Sequence, residues 1–401
     1  MSNNNATRYE VPTRRDYLKY GGAVIGGGLL AGCSGQSDPG STPSQTNTDD
    51  TPTATETATT EDESYSVTMA PAGTVEFEEP PESVFTVLLH HADMTLALGH
   101  SDSLNGMYNP QGFEESYNVL LERLDGVSID WSGLADTWNP DKEVLYELDS
   151  DLHLEDPALM TTMEAWDTED IEEVRTNVAP WFGNSLSRNH TEPPEDWADK
   201  YEYYTLWNIF EKVAAVFQEQ TRYNALAEVH SDLVSTIESN LPPANDRPRT
   251  ARFLLRGGIW VYQLNGPGTT KAHTRVFGAE DALDASSNTQ IDMEALAEAA
   301  PDVILVDGGL NSDWESTRQQ LYEDEVGQSI PAIENDRVYP IGVRYGGPIM
   351  NLFQLEMIAK QLYPEQFGEW PTYEGGPYPD FTEDEQLFDH QRVADIINGD
   401  L

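Results

Sequence analysis

Residues 195–241 read EDWADKYEYYTLWNIFEKVAAVFQEQTRYNALAEVHSDLVSTIESNL, a run without Gly or Pro, fenced by Pro193-Pro194 and Pro242-Pro243. Within it Leu206, Ile209, Phe210, Val213, Phe217, Leu226, Val234 and Ile237 recur at steps of mostly three or four. That spacing is the apolar stripe of an amphipathic helix. Proline cannot continue a helix interior, so the fences set its limits to within a turn. At the rise of an α-helix the run would be roughly 50–65 Å long, more than the width of a small domain. No sustained heptad marks it as a coiled coil. A single mid-chain helix with a substantial segment on each side predicts a spine joining two lobes.

Outward from the spine, both flanks alternate strand and helix. On the N-terminal side, Tyr65–Thr68 and Thr74–Phe77 read as a hairpin edge. Val84–Leu89 reads as a buried strand, and Ala92–Leu98 as a helix stopped at Gly99. Asn139–Leu148 is helical by pattern and leads into a short strand, Leu152–Leu154. On the C-terminal side, Ala251–Leu255 is a strand, Asp292 caps a helix that Pro301 breaks, and Val303–Val306 is a buried strand. Arg337–Ile341, a helix over Ile349–Leu362 and an amphipathic helix around Glu385–Ile397 complete the chain. This alternation predicts an α/β protein with two Rossmann-like, parallel-rich lobes and a cleft between them. The expected divisions are 65–194 for the first lobe, 195–241 for the interlobe helix and 242–401 for the second lobe.

The 401 residues hold 71 acidic and 22 basic side chains, a formal net charge of −49. Such a body repels nucleic acid and anionic membranes. The acid is spread along the chain with few lysines, a balance similar to that of proteins from extreme halophiles, so a haloarchaeal type is expected. Many aromatics and regular apolar runs exclude wholesale disorder.

The single cysteine, Cys33, leaves no intramolecular disulfide to form. Ahead of it, Thr13-Arg14-Arg15-Asp16-Tyr17-Leu18-Lys19 resembles a twin-arginine export signal, with Arg14 and Arg15 as the pair. The apolar stretch Gly21–Ala31 is too short to span a ~30 Å hydrocarbon core and reads as a signal h-region. Leu30-Ala31-Gly32-Cys33 resembles a lipobox, in which the chain is cut before a lipid-modified cysteine. Residues 1–33 are therefore read as the signal, and 34–64, rich in Ser, Thr, Asp and Pro, as a disordered tether. The expected location is the extracellular face of the cell membrane, held by the lipid alone.

The order of elements resembles the substrate-binding lipoproteins of ABC importers for iron–siderophore complexes, haem and cobalamin. The resemblance is carried by PPESVFTVLLHHADMTLALG at 80–99, NPDKEVLYELDSDLHLED at 139–156, IDMEALAEAAPDVILVDG at 291–308 and GGPIMNLFQLEMIAKQLYPE at 346–365. The first helix-strand unit departs from the pattern, with Asp149-Ser150-Asp151 in place of Lys-Pro-Asp. It implies a monomeric receptor, not an enzyme, that passes a small-molecule metal chelate to an ABC permease and its ATPase. No resident cofactor is implied; the ligand would be an Fe(III) chelate. It also implies permease docking through one surface glutamate per lobe, Glu143 and Glu294, which occupy matching helix-start positions. Cobalamin or haem capture is the same-fold alternative. A secreted metal-dependent hydrolase is the alternative of another class, but no H-E-x-x-H or G-x-S-x-G motif completes a site.

In open α/β sheets ligands bind beyond the carboxyl ends of the strands. The residues expected there are His90, His91, Tyr108, Trp138 and Trp181 in the first lobe, and Arg256, Trp260, Arg275, Arg344 and Tyr345 in the second. Arginine forks suit anionic oxygens, and Trp and Tyr supply flat amphipathic walls. His90-His91-Ala92-Asp93 contains metal-ligand types, yet neighbours leaving a strand point to opposite faces. It is read as capping a chelate's polar edge, with no protein metal site.

Overall fold

The computed structural model describes residues 64–308, 310 and 313–401. Arg14, Arg15, Cys33 and the tether as far as residue 63 lie outside the described residues. The first lobe opens with a hairpin of β1 (Tyr65–Met69) and β2 (Gly73–Phe77), in which Tyr65 faces Phe77 with ring centroids 5.4 Å apart. A parallel sheet follows, built from β3 (Val84–Phe85), β4 (Leu104–Met107), β5 (Ala135–Asp136) and β6 (Leu152–His153) in the order β5-β4-β3-β6. Three helices carry the crossovers: α1 (Leu89–Ala97), α2 (Pro110–Leu121) and α3 (Lys142–Leu148). α4 (Thr168–Asn177) starts at Asp167, whose side chain accepts from Glu169 N and Asp170 N.

β3 is shorter than its apolar run predicts, and helix begins at Leu89 instead of Ala92. The reason is a buried carboxylate. Glu155 Oε2 takes the amides of Val87 and Leu88 at 3.0 and 3.2 Å, so those donors do not extend the ladder.

The expected interlobe helix over 195–241 is not one helix. Residues Glu195–Lys200 form a 3-10 turn, and 201–205 are irregular. α5 (Leu206–Val216) begins at Thr205, whose hydroxyl accepts from Asn208 N; α6 (Gln220–Asn240) follows after a break. At the break Gln218 has φ 57. Phe217 is buried against His100, Glu219 reaches His100 at 3.2 Å, and Arg222 donates to Leu98 O and Ile396 O. Long-range contacts break the helix where neither Gly nor Pro does.

The second lobe holds β7 (Arg249–Leu255), β8 (Ile259–Val261), β9 (Glu280–Asp281), β10 (Thr289–Ile291), β11 (Val303–Val306) and β12 (Val338–Pro340). The path is β10-β8-β7-β11-β12, with β9 beside β7. β7, β11 and β12 are parallel, whereas β8 and β10 form an antiparallel edge that the repeat pattern did not announce. α7 (Met293–Ala299) is capped by Asp292, as expected, and α8 (Trp314–Tyr322) precedes β12.

α9 (Pro348–Leu362) is buried at all fifteen positions. A helix covered all round is a core helix, and this one lies between lobes. Its Gln361 donates to Pro340 O at 2.9 Å on the β12 side, and it packs on α1, α2, α5 and α6 on the other. Its polar residues are each engaged: Gln354 with Ile341 O and Val343 O, Lys360 with Phe367 O and Glu385 O, and Glu356 with Tyr378 and His390. Beyond α9 the chain returns to the first lobe. Tyr378 N donates to Val119 O, Arg123 to Tyr378 O, and Arg222 to Ile396 O beside α10 (His390–Asn398). From Pro348 onward the span 242–401 therefore packs on the first lobe as well as on the second.

Candidate functional site

Two adjacent acids after β6 organise the first-lobe side of the cleft. Glu155 holds the Val87–Leu88 turn that leads into α1, and its other oxygen accepts from Ser185 Oγ at 2.5 Å. Asp156 accepts from Ser185 N at 2.7 Å, Leu186 N at 3.1 Å and Tyr201 OH at 2.6 Å. Together they fix α1, with His90 and His91, and the loop that carries Arg188. Burial pushes both carboxyls up, Asp156 to about 6.

His90 and His91 lie in the first turn of α1, fully buried, with rings 3.9 Å apart. They do not diverge to opposite faces as expected, because successive helical residues turn by about 100° instead of 180°. His91 Nδ1 stands 3.5 Å from Thr86 Oγ1 and 3.9 Å from Glu155 Oε2. His90 Nδ1, His91 Nε2 and Arg188 Nε are buried without a hydrogen-bond partner. Burial, with the neighbouring Arg188 charge adding to it, holds His91 down to about 3 and His90 well below its ordinary value. Both are neutral imidazoles at neutral pH. Asp93 is no metal ligand here; its two oxygens accept from Gly347, Ile349 and Met350 amides at the start of α9.

Across the cleft, the turn after β12 brings Arg344 and Tyr345 against this floor. The Arg188 guanidinium lies 4.4 Å over the Tyr345 ring, and Arg344 sits 4.7 Å from Tyr345 and 3.9 Å from Tyr262. The result is a ladder of arginine and tyrosine spanning both lobes. Thr270 Oγ1 donates to Arg188 O at 2.9 Å beside it, and Gly268 passes so close that a Cβ would lie 2.6 Å from that carbonyl.

The other expected residues do not join this arginine–tyrosine ladder. Tyr108 and Trp138 form an aromatic patch at the ends of β4 and β5, ring centroids 4.6 Å apart, with Trp138 59% exposed. Trp181 is core: it packs on His153 and Trp166 and donates to Ile171 O. A large ring after a strand-like segment fills the nearest apolar space, here beneath α4. Arg275 donates to Gly268 O at 2.9 Å and braces its own loop. Arg256 and Trp260 occupy the β7–β8 hairpin, Trp260 Nε1 donating to Arg256 O, because β8 turns back antiparallel where a crossover was expected. Glu143 and Glu294 are exposed at the second position of α3 and α7, two seven-residue helices with matching aspartate caps. Sequence reasoning missed Arg188 and Tyr262. Arg188 follows no named strand; its one sequence signal is the scarcity of basic residues in the chain.

A family model described as periplasmic binding protein matches residues 134–345. No curated protein matches the chain. Among solved structures, a periplasmic binding protein from Veillonella parvula is 16% identical over 79% of this chain and 94% of its own, with a TM-score of 0.53. CeuE of Helicobacter pylori, in a nickel–histidine complex, is 12% identical over 76% and 90%, TM-score 0.51. The petrobactin-binding protein YclQ of Bacillus subtilis is 16% identical over 75% and 97%, TM-score 0.50. At such identities the likeness establishes the fold and leaves the ligand to the residues of the cleft.

Proposed function

The chain belongs to the periplasmic binding protein family, and from that premise we propose that it captures a net-anionic Fe(III) chelate and hands it to an ABC importer. Its work is binding, not catalysis. One observation carries the choice of ligand. Arg175, Arg222, Arg249, Arg252 and Arg318 each hold a carboxylate. Arg123, Arg247, Arg275 and Arg337 donate to backbone carbonyls, and Arg256 and Arg392 are exposed. Among the described residues Arg188 and Arg344 are the partly buried arginines with neither an ion pair nor a carbonyl partner, and they lie on tyrosine faces instead. In a chain with 71 acids against 22 bases, two cleft arginines without a direct carboxylate pair are available to an anion from outside. Stacking occupies the guanidinium faces and leaves the N–H edges for a bidentate grip on carboxylate or catecholate oxygens. The buried, unpartnered nitrogens of His90, His91 and Arg188 offer further polar contacts beneath. CeuE, in a nickel–histidine complex, and YclQ, a petrobactin-binding protein, support a small-molecule cargo of this kind.

In this reading the protein is an extracellular lipoprotein tethered through Cys33, exported by the Arg14-Arg15 signal, and docked on the permease by Glu143 and Glu294. Among the described residues no helix is long and apolar enough to cross a membrane.

The test is a titration of tryptophan fluorescence in molar salt with ferric citrate, the ferric tris-complex of 2,3-dihydroxybenzoate, ferrioxamine, haem and cobalamin. Saturable one-to-one binding of the anionic ferric complexes is expected. Arg188→Ala and Arg344→Ala should each weaken it by about 10- to 100-fold, the worth of a charge-assisted contact. Binding of cobalamin or bare cation alone would overturn the reading. Haem, with two carboxylates, would retain the arginines and change the cargo.

A further inference from the structure

The turn 342–347 carries Arg344 and Tyr345, yet its own lobe fixes only one end of it. Gly308 and Gly342 exchange backbone hydrogen bonds of 2.6 and 3.2 Å. Gln354 Nε2 then donates to Ile341 O and Val343 O at 2.8 and 3.0 Å. The far end is held from the other lobe. Asp93, in α1, accepts from Gly347 N at 2.8 Å, Ile349 N at 2.9 Å and Met350 N at 3.1 Å. The fit is close: a Cβ at Gly347 would stand 2.6 Å from both the Asp93 Cβ and the His90 carbonyl.

This carboxylate is fully buried, and burial pushes it up to about 6 in spite of its three donors. A neutral Ser or Asn would cap a helix with less desolvation. What Asp93 adds is reach and two acceptor oxygens, which tie the Gly347 amide and the first two amides of α9 to the helix that also carries His90 and His91. The floor of the cleft and the anchor of the opposite wall are thereby one rigid element.

We propose that Asp93 is the positioning residue of the ligand site: through it the first lobe holds the second-lobe turn so that Arg344 and Arg188 meet at the Tyr345 ring. The part of this that concerns ligand rests on the reading above; the part that concerns the turn does not.

The two parts are separable by experiment. In the ligand-free full chain, the Nε–Hε NMR signals of Arg188 and Arg344 report the ring currents of Tyr345 and Tyr262. Asp93→Ala should move both toward random-coil positions, and Asp93→Asn, which keeps one acceptor oxygen, should restore them in part. Unchanged arginine signals in folded Asp93→Ala would overturn the proposal. Should that variant fail to fold, Asp93→Leu, similar in size and without an acceptor, carries the same expectation and the same overturning result. With the ferric tris-complex of 2,3-dihydroxybenzoate as probe, Asp93→Ala should bind about tenfold more weakly, a coupling in the usual range between linked sites. If the wild type ignores the probe, the ligand reading fails while the arginine signals still decide the anchor.

Discussion

Desolvation acts on five of the eight histidines, and it sets how the protein answers to pH. His91 and His230 are held down to about 3 and His153 to about 4, with His90 and His273 well below their ordinary value, in each case chiefly by burial. An unfolded histidine takes up a proton near pH 6.5, and these folded ones do not. The stability they contribute is complete above pH 6.5 and is lost as pH falls toward 3–4. Asp93 and Asp156, raised to about 6, act in the opposite direction, since the folded state takes their protons first and gains as pH falls from 6 toward 3.8. The histidines are more numerous and more strongly shifted, so urea unfolding at fixed high salt should show net destabilisation below pH 6.5. His153, wedged between Phe85 and Trp181, gives the single-residue check. His153→Phe should remove about 2 kcal/mol of the loss between pH 7.5 and 5. An unchanged pH slope would show that His153 titrates normally in the folded chain.

At the scale of elements, the break between α5 and α6 and the burial of α9 change which helix matters. Gln218 sits in the left-handed region and is exposed, a conformation that costs a side-chain-bearing residue about 1 kcal/mol and glycine almost nothing. Gln218→Gly should therefore stabilise the chain by roughly 0.5–1 kcal/mol in thermal or urea unfolding. In one continuous helix the same change would destabilise by about 1 kcal/mol, so the sign of the effect distinguishes the two architectures. The stripe from Leu206 to Ile237 was legible because local periodicity records a buried face. The break was not, because Phe217 and Glu219 are drawn to His100, and Arg222 to the carbonyls of Leu98 and Ile396, contacts that no local pattern contains. α9 was legible as a helix, but not as the member shared by both lobes. Its Asn351, Gln354, Glu356, Lys360 and Gln361 look solvent-facing until their partners on other elements are in place.

For the molecule as a whole, the proposed docking through Glu143 and Glu294 rests on their matching positions in two aspartate-capped seven-residue helices. Reversing both (Glu143→Lys with Glu294→Lys) should abolish uptake of the bound chelate by cells while leaving affinity in the fluorescence titration within about twofold, as for exposed charges away from a site. A matching loss of affinity would move these residues into the cleft. The sequence by itself determined the alternating α/β pattern, the helix within 139–148, the capped helix at Asp292 and the extreme negative charge, since periodicity, caps and composition act within a few residues or over the whole chain. It also showed which residue types a cleft would use. Only the tertiary structure decided which of them meet there. Arg188, Tyr262, Arg344 and Tyr345 come from three separate stretches of loop, and Trp181 and Arg275, equally eligible by pattern, turn inward to neighbours of their own. Whether an arginine is free for a ligand depends on whether an acid lies within reach in space, and in this chain any arginine has many acids to choose from.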